Sequence, residues 1–442
     1  MATTVLSKTF GTATNRKKWT MSVWLKKADP LDEGAIFSSY STGTTSNYSA
    51  FRDNGDRTYE FVENDGSYTI NLRPSLKLRD TAAWYHLVLA YDSTQSVAAD
   101  RVNYYVNGVL QTAWGTETYP TLNQESGINQ AALHTIGKNT ATDNSYFNGV
   151  MAHFHFIDGL QYAASDFGET DSTSGIWVAK SGPSVTYGNN GFFLKFQDTA
   201  AFGDDSSGNT NDFALSGTMT QTKDTPDNNF STLNSLDTSI GTAPTISNGN
   251  TTTTTADSWV GSTIPIQSGK WYWEVKVPSA GVECVTGVLL ANNLNYSGTD
   301  WLGVSIAGVY GFAGVSGNKI TSGTAASYDS AISQNDIMMF AMDAAAGSLY
   351  VGVNGTWLQS SNPATSTSPM ISSMGTSETW IPFTTISSSG GSCINNFNFG
   401  NGYFGTTIVS SSEADDAGIG SFEYDVPAGY YALCTNNLGD QS

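Results

Sequence analysis

Hydrophobic and polar residues alternate along several short stretches of this chain, which is the pattern of a β-strand with one buried face. In residues 19–25 the side chains that fall on one face are all apolar, namely Trp19, Met21, Val23 and Leu25. Residues 271–277 alternate in the same way. A register change of one residue would expose either apolar set, so the burial pattern fixes both strands. No apolar stripe with the period of a helix continues for about 12 residues or more, and the pattern predicts an all-β protein.

Two Asn-Gly pairs predict tight β-hairpins. Asn107-Gly108 and Asn354-Gly355 each end a strand-like run, and each run follows another apolar stretch, 84–91 in the first case and 337–342 in the second. Asn-Gly readily supplies the two positive φ angles of a type I′ turn. The repeated arrangement predicts two antiparallel β-sandwiches in tandem.

Composition agrees with this division. The chain has 442 residues, which is long for one hydrophobic core, and only 13% of them are charged while 45 are glycine. Such a mixture favours many short strands joined by turns. We expect a first sandwich over residues 1–216, a Thr-, Ser- and Asn-rich connector over 217–256, and a second sandwich over 257–442.

The net charge of −20 is unevenly distributed. Residues 1–101 hold 12 of the 19 Lys and Arg against 11 acidic residues, whereas after Lys319 there are ten acidic residues and no Lys or Arg. The anionic second half argues against binding to nucleic acid or to an anionic membrane surface. No stretch has the length and apolarity of a membrane span, and the N-terminal residues lack a signal-peptide pattern. We expect a protein that folds in a cytosol.

The three cysteines, Cys284, Cys393 and Cys434, have neither metal-ligand spacing nor an even disulfide framework. Buried free thiols are the expected state, and a Cys393–Cys434 bridge is the alternative.

Short motifs in both halves resemble known families. The first half resembles laminin-G-like, concanavalin-type sandwich domains at residues 15–24, at Trp84-Tyr85-His86-Leu87-Val88, at residues 105–108 and at residues 147–151. The second half is similar to SPRY-like sandwiches at residues 269–275 and 349–355. The pairing of the two, with the motifs at residues 224–230, 398–401, 426–430 and 435–438, resembles virion surface proteins of bacteriophages, marine ones especially.

Concanavalin-type sandwiches include glucanases, whose reaction requires a pair of catalytic carboxylates. A retaining glycosidase needs two carboxylates ~5.5 Å apart on one face of the cleft. The Glu-x-Asp-x-x-Glu pattern that would supply them is absent, and the nearest run, residues 423–425, lacks the second Glu. His153 and His155 could share a strand face with Met151 and Ile157, but two histidines without a third ligand indicate packing rather than a zinc site. No catalytic residues are predicted, and the chain is expected not to be an enzyme.

Two kinds of binding residue are candidates. The resemblance to laminin-G-like domains implies calcium on acidic loops, for which Asp53, Asp56, Asp204 and Asp205 could supply oxygen ligands; the same residues are also ordinary turn formers. Aromatic residues outside clear strands could stack on a sugar, and these are Trp114, Tyr119, Trp301 and Tyr310. Their alternative role is to anchor loops on their own sandwich.

The expected function is a non-enzymatic virion structural protein of a phage, in a tail fibre or a capsid fibre or decoration, assembled in the host cytoplasm. Its expected partners are other virion proteins, a host-surface glycan and further copies of itself, with a trimer as one form of the homo-oligomer. Two alternatives stay open, a polysaccharide depolymerase or glucanase with a concanavalin-type cleft, and a ligand-free structural spacer.

Overall fold

Strands provide nearly all the regular structure of the chain. The computed structural model describes residues 4–28, 31–40, 47–139, 141, 145–236, 244–254, 258–295, 305–386 and 393–439. Within those ranges the α-helix is the short segment Thr435–Leu438 (α1), and single 3₁₀ turns occur at Ala98–Arg101, Ala164–Asp166, Ala291–Asn295, Leu358–Ser360 and Pro363–Thr365. None of the described helices is long and apolar enough to cross a membrane. The all-β prediction is confirmed.

The chain forms two units, Met1–Gln221 and Thr222–Ser442. The strands of the first unit are β1 (Val5–Thr9), β2 (Lys18–Lys27), β3 (Glu33–Tyr40), β4 (Asn47–Asn54), β5 (Tyr59–Asp65), β6 (Tyr68–Pro74), β7 (Tyr85–Asp92), β8 (Val102–Val106), β9 (Val109–Leu110), β10 (Trp114–Thr118), β11 (Leu133–Ile136), β12 (Gly149–Asp158), β13 (Gly168–Thr170), β14 (Trp177–Ala179), β15 (Phe192–Leu194) and β16 (Ala214–Ser216). One sheet has eight strands in the order β10-β6-β5-β4-β3-β11-β1-β16, and the other has six in the order β15-β12-β2-β7-β8-β9. Strands β13 and β14 form a separate hairpin.

The core of the first unit lies between its two sheets. The apolar face predicted for residues 19–25 is buried there, with Trp19, Met21, Val23 and Leu25 each at most 1% exposed. Phe51 and Phe61 contribute to the same core from the eight-stranded sheet. Aromatic packing holds the two sheets together, since the ring centroids of Trp19 and Phe61 are 5.4 Å apart in an edge-on arrangement.

Strand β12 contains the main departure from the predicted pattern of the first unit. Its pairing with β2 shifts register between Ala152 and His155, and His153 has a φ of 48°. A bulge of this kind reverses the faces on either side of it. His155 consequently does not share a face with Met151, as strict alternation would require: Met151 packs against the core, and His155 faces away from it, stacked on Phe193 with ring centroids 3.9 Å apart.

The strands of the second unit are β17 (Thr245–Ser247), β18 (Thr252–Thr254), β19 (Ser258–Gly261), β20 (Lys270–Ala280), β21 (Val285–Leu290), β22 (Val309–Ala313), β23 (Asn318–Thr321), β24 (Thr324–Ser327), β25 (Ile337–Asp343), β26 (Ser348–Val353), β27 (Thr356–Trp357), β28 (Trp380–Ile386), β29 (Cys393–Asn398), β30 (Tyr403–Phe404), β31 (Thr407–Ile408) and β32 (Tyr431–Ala432). Its larger sheet runs β17-β18-β29-β20-β25-β26-β27, with β32 also paired to β20. Its second sheet runs β19-β28-β21-β22-β23-β24. The unit is again a sandwich, antiparallel except for the parallel pairing of β20 with β32.

Both Asn-Gly turns have the predicted geometry. Asn107 and Gly108 have φ angles of 46° and 79°, and they join β8 to β9. Asn354 and Gly355 have φ angles of 48° and 82°, and they join β26 to β27. Two successive positive φ angles define the type I′ turn, so this prediction is confirmed at both positions.

The segment predicted as a connector lies mostly within the second unit. The division between the units falls after Gln221. Phe230 and Leu233 are at most 1% exposed in clusters of the second unit, and strand β18 pairs with β29. These buried apolar side chains bind the segment to the second sandwich, which the Thr- and Ser-rich composition did not indicate.

Candidate functional site

The outer face of the eight-stranded sheet of the first unit carries a connected set of polar and aromatic side chains. Strands β4, β5 and β6 pair so that Phe51, Phe61 and Leu72 lie side by side and point into the core. The neighbouring residues on each strand point outward. Six outward residues form what we call the tyrosine–arginine face: Tyr48, Arg52, Glu60, Tyr68, Asn71 and Arg73.

An ion pair fixes the centre of this face. Arg52 and Glu60 are paired residues on β4 and β5. The Nη2 atom of Arg52 lies 2.6 Å from Oε1 of Glu60, and its Nε atom donates to the same oxygen at 2.8 Å. The side chains are 22% and 4% exposed, so the carboxylate is enclosed while one edge of the guanidinium reaches solvent. Such a charge-assisted contact holds a donor group in a defined orientation.

Two tyrosines border the guanidinium. The Nη2 atom of Arg52 lies 3.5 Å from the hydroxyl of Tyr68, and the hydroxyls of Tyr48 and Tyr68 are 3.4 Å apart. Tyr68 is 45% exposed, so part of its ring faces solvent. Burial, together with the hydrogen bond to Tyr68, raises the pKa of Tyr48 to about 12. The hydroxyl of Tyr48 therefore remains protonated at neutral pH.

The remaining polar groups extend the face toward β10. Asn54, with its amide oriented to satisfy both neighbours, donates to Oε1 of Glu60 at 3.2 Å and accepts from Nη1 of Arg73 at 2.7 Å. Nη2 of Arg73 also donates to Oγ1 of Thr116 at 3.3 Å. The Oδ1 atom of Asn71 is buried and has no hydrogen-bond partner in the described part of the chain.

This arrangement suits recognition of a polyhydroxylated ligand. Exposed aromatic rings supply apolar faces, while planar guanidinium and amide groups supply hydrogen bonds of fixed direction. The sequence patterns did not single out these residues. They lie on strands rather than loops, and they come together only when β4, β5 and β6 pair in register.

The predicted aromatic candidates are differently placed. Trp114 lies on the edge strand β10 and packs against the core, with its ring edge-on to Tyr104 at 6.3 Å and to Tyr119 at 6.1 Å. Tyr119 is partly buried in the same place, and burial with a hydrogen bond to Glu117 raises its pKa to about 12. The prediction that Trp114 lies outside the strands was wrong, since it begins β10. Both side chains pack on their own sandwich, as the alternative to sugar binding had proposed.

The prediction that Tyr310 lies in a loop was wrong. It belongs to strand β22, not to a loop, and it is 8% exposed, packed edge-on against Trp380 at 5.3 Å. A ring so enclosed has no free face for a sugar. Trp301 lies outside the described residues.

Three of the four aspartates proposed for calcium accept contacts from protein donors, namely Asp53, Asp56 and Asp205. Oδ2 of Asp53 lies 2.7 Å from Nζ of Lys27, and both side chains are at most 4% exposed. Burial raises the pKa of Asp53 by more than Lys27 lowers it. Asp56 accepts hydrogen bonds from Thr58, which lower its pKa although burial acts to raise it. These contacts do not fit an open cation site on the β4–β5 turn.

In the second pair of candidates, Asp205 and Asp204 differ. The carboxylate of Asp205 accepts hydrogen bonds from the backbone N–H groups of Phe193, Ser207 and Asn211 at 2.8 to 2.9 Å. These bonds close the turn after β15. Asp204 is exposed beside it. No group of three or more His, Cys, Asp or Glu residues within the described ranges is arranged to hold a metal ion.

A glycosidase-type carboxylate pair is not formed on the tyrosine–arginine face. Glu60 and Glu63 are both buried on β5, but they point to opposite sides of the sheet. The carboxylate of Glu63 accepts hydrogen bonds from Oγ of Ser126 and from the backbone N–H of Gly127, the latter at 2.8 Å. Glu63 thereby holds the loop before β11 to the sheet.

The second unit contains a fully buried carboxylate with a structural role. Glu274 on β20 accepts hydrogen bonds from the hydroxyl of Tyr272 and from the backbone N–H groups of Glu423 and Tyr424, each at 2.9 Å. Burial raises its pKa to about 7 despite these bonds. The contacts fasten the C-terminal segment to the outer face of the larger sheet.

Comparison with known proteins relates this geometry to a fold family. Residues 3–162 match the family model described as the concanavalin A-like lectin/glucanases superfamily. The chain is thus an all-β protein with a concanavalin-like domain in its first unit, as the sequence motifs implied. No curated protein sequence matches the chain.

Two solved structures are similar over parts of the chain. The SPRY domain of human HERC1 is 14% identical with a TM-score of 0.30, and the similarity covers 37% of this chain and 96% of that one. A Bacteroides ovatus protein, provisionally described as carbohydrate-binding, is 17% identical with a TM-score of 0.28. That similarity covers 48% of this chain and 57% of the other. At these identities and scores, neither similarity indicates a function.

Proposed function

We propose that this chain is a non-enzymatic surface component of a bacteriophage virion, in a tail fibre or a capsid fibre or decoration, and that its first unit binds a host-surface glycan. The glycan binds on the tyrosine–arginine face. Turnover has no part in the proposal, because the face offers one enclosed carboxylate, Glu60, already paired with Arg52.

The observation that carries the glycan proposal is the contact of Arg52 with both Glu60 and Tyr68. It places a fixed guanidinium beside a ring that is 45% exposed. Ring faces and planar donors within a few ångströms of each other are what a sugar ring needs, with its apolar C–H surface and its equatorial hydroxyls. The match of residues 3–162 to a lectin and glucanase superfamily also supports the proposal of glycan binding.

The virion proposal is supported by the order of motifs along the chain, which resembles phage surface proteins from residue 15 to residue 438. Self-association into a homo-oligomer, such as a trimer, belongs to this proposal because virion appendages are symmetric.

A glycan array tests the binding proposal. The purified chain and its Arg52→Ala variant are applied to an array of bacterial surface polysaccharides and oligosaccharides. Specific signals from the parent chain that the variant loses would support the site. A flat array for the parent chain, with full incorporation into particles, would favour a ligand-free spacer.

Immunogold labelling of intact particles tests the virion proposal separately. Label at the tail would indicate host attachment, and label over the head would indicate a capsid fibre or decoration. Particles without label would reject the virion role. Reducing-sugar release from host polysaccharide would instead support the alternative, a depolymerase or glucanase.

A further inference from the structure

Two of the three cysteines meet inside the second unit, although they are 109 residues apart in the sequence. Cys284 immediately precedes β21 in one sheet, and Cys393 begins β29 in the other. Their Sγ atoms are 2.6 Å apart, and both side chains are at most 1% exposed in the core between the sheets. This pairing differs from the Cys393–Cys434 bridge considered from the sequence.

Cys434 is placed elsewhere. It belongs to the cluster on the opposite side of the larger sheet, with Tyr272 and Tyr430, whereas Cys284 and Cys393 share the inter-sheet core with Val275 and Phe397. A β-sheet therefore separates Cys434 from the pair. The chain supplies a matched control, a buried cysteine of the same unit with no cysteine partner.

The surroundings of the pair leave the sulfur atoms free to react with each other. Asn395 is their polar neighbour, with Oδ1 3.7 Å from the Cys393 sulfur and 3.9 Å from the Cys284 sulfur. The amide of Asn395 is itself held by a 3.0 Å hydrogen bond to Oγ1 of Thr384. No metal-binding group of three or more ligands includes either cysteine within the described residues. The two thiols therefore contact each other directly, with Oδ1 of Asn395 as a shared weak acceptor.

We propose that Cys284 and Cys393 are an oxidisable pair that forms a disulfide between the two sheets of the second unit. The oxidant is a small-molecule disulfide, such as oxidised glutathione. The thiolate of one cysteine attacks a sulfur of the oxidant and releases one glutathione thiol, forming a mixed disulfide. The second cysteine attacks the protein sulfur of that mixed disulfide and releases the other glutathione. The protein loses two electrons and two protons, and one molecule of oxidant becomes two thiols.

Burial controls the rate of this reaction rather than its outcome. The hydrogen bond with Cys393 and the burial of the site both raise the pKa of Cys284 well above its ordinary range, so Cys284 is rarely a thiolate in the folded unit. Oxidation therefore proceeds through local opening of the strands that carry the pair. Once formed, the bond closes a long loop and restricts the unfolded chain.

The test uses the full-length chain, incubated with oxidised glutathione in a urea concentration below the unfolding transition. The protein is then unfolded without reductant, treated with an alkylating agent, and analysed by intact mass and peptide mapping. The expected product has one alkylated cysteine, Cys434, and a linked peptide pair containing Cys284 and Cys393. Three alkylated cysteines, a bridge that includes Cys434, or stable glutathione adducts would overturn the proposal.

Two variants and a stability measurement complete the test. After oxidation, Cys434→Ser should still yield the linked peptide pair, and Cys284→Ser should not. Under reducing conditions, the unfolding temperature of Cys284→Ser should be within a few degrees of that of the parent chain. The oxidised parent should unfold on the order of 10 °C higher than the reduced parent, and reductant should remove the difference. An equal temperature for the oxidised parent and oxidised Cys284→Ser would argue against a bond that spans the sheets.

Discussion

Arg52 and Glu60 lie opposite each other on neighbouring strands, and two nitrogen atoms of the guanidinium contact the same carboxylate oxygen at 2.6 and 2.8 Å. The carboxylate is enclosed and the guanidinium is partly exposed. The pair therefore presents a rigid donor on the surface of the sheet, and it does so without relying on a loop.

Replacing Arg52 with Ala should abolish glycan binding and also destabilise the first unit. The variant leaves Glu60 buried without its cation, which costs about 1–3 kcal/mol. The double variant Arg52→Ala/Glu60→Gln should recover most of this stability and none of the binding. Arg79→Ala, at an exposed position of the same unit, is the matched control and should change neither. Array binding and urea unfolding measure the two effects.

Tyr68 should contribute to binding and little to stability. Because its ring is 45% exposed, Tyr68→Ala removes an apolar surface for the ligand and leaves the core intact. We expect at least a tenfold loss of affinity in a titration with the best array ligand, and a change in unfolding free energy within about 0.5 kcal/mol.

Tyr119 should contribute to stability and little to binding, in contrast to Tyr68. It packs against Trp114 at the core, so Tyr119→Ala should lower the unfolding temperature and leave the affinity of the folded protein unchanged. A larger loss of affinity in Tyr119→Ala than in Tyr68→Ala would indicate that the ligand binds at the edge strand and not on the tyrosine–arginine face.

Glu274 should make the second unit less stable as the pH rises. Its pKa is about 7 in the folded chain and lies near 4.5 when exposed, so the folded state binds the proton more tightly. Its contribution to stability is complete below about pH 4.5 and is lost as the pH rises through 7, by on the order of 3 kcal/mol. Glu274→Gln should flatten this dependence. Hydrogen exchange in peptides from β20 and residues 422–424, followed from pH 4.5 to 8, reports it directly.

His86 should make the first unit less stable as the pH falls, which is the opposite pH dependence to that of Glu274. Its Nδ1 atom accepts a 3.0 Å hydrogen bond from Nε1 of Trp177, and its Nε2 atom lies 2.8 Å from Oγ of Ser22. Burial lowers the pKa of His86 to about 3. Its contribution is therefore complete above about pH 6.5 and is lost as the pH falls toward 3. His86→Gln should reduce the acid sensitivity of exchange in β7, and an unchanged profile would assign that sensitivity to another group.

Local patterns predicted much of the fold. The alternation in residues 19–25 and 271–277 identified strands and their buried faces, and two Asn-Gly pairs identified hairpins, because side-chain period and turn angles depend on a few adjacent residues. The same rule failed at β12, where a bulge at His153 reversed the faces, and at Tyr310, where a strand was taken for a loop.

The sequence by itself determined that this protein is built from antiparallel strands in two sandwiches, and it determined the position of the tight turns. The tertiary structure decided which side chains meet. Arg52, Glu60 and Tyr68 form one surface only because three strands pair in a given register. Cys284 meets Cys393, and Cys434 does not, because a sheet lies between them. The alternation of hydrophobic and polar residues fixes which face of each strand is buried. Which strands become neighbours, and which outward side chains therefore meet, is decided only when the sheets assemble.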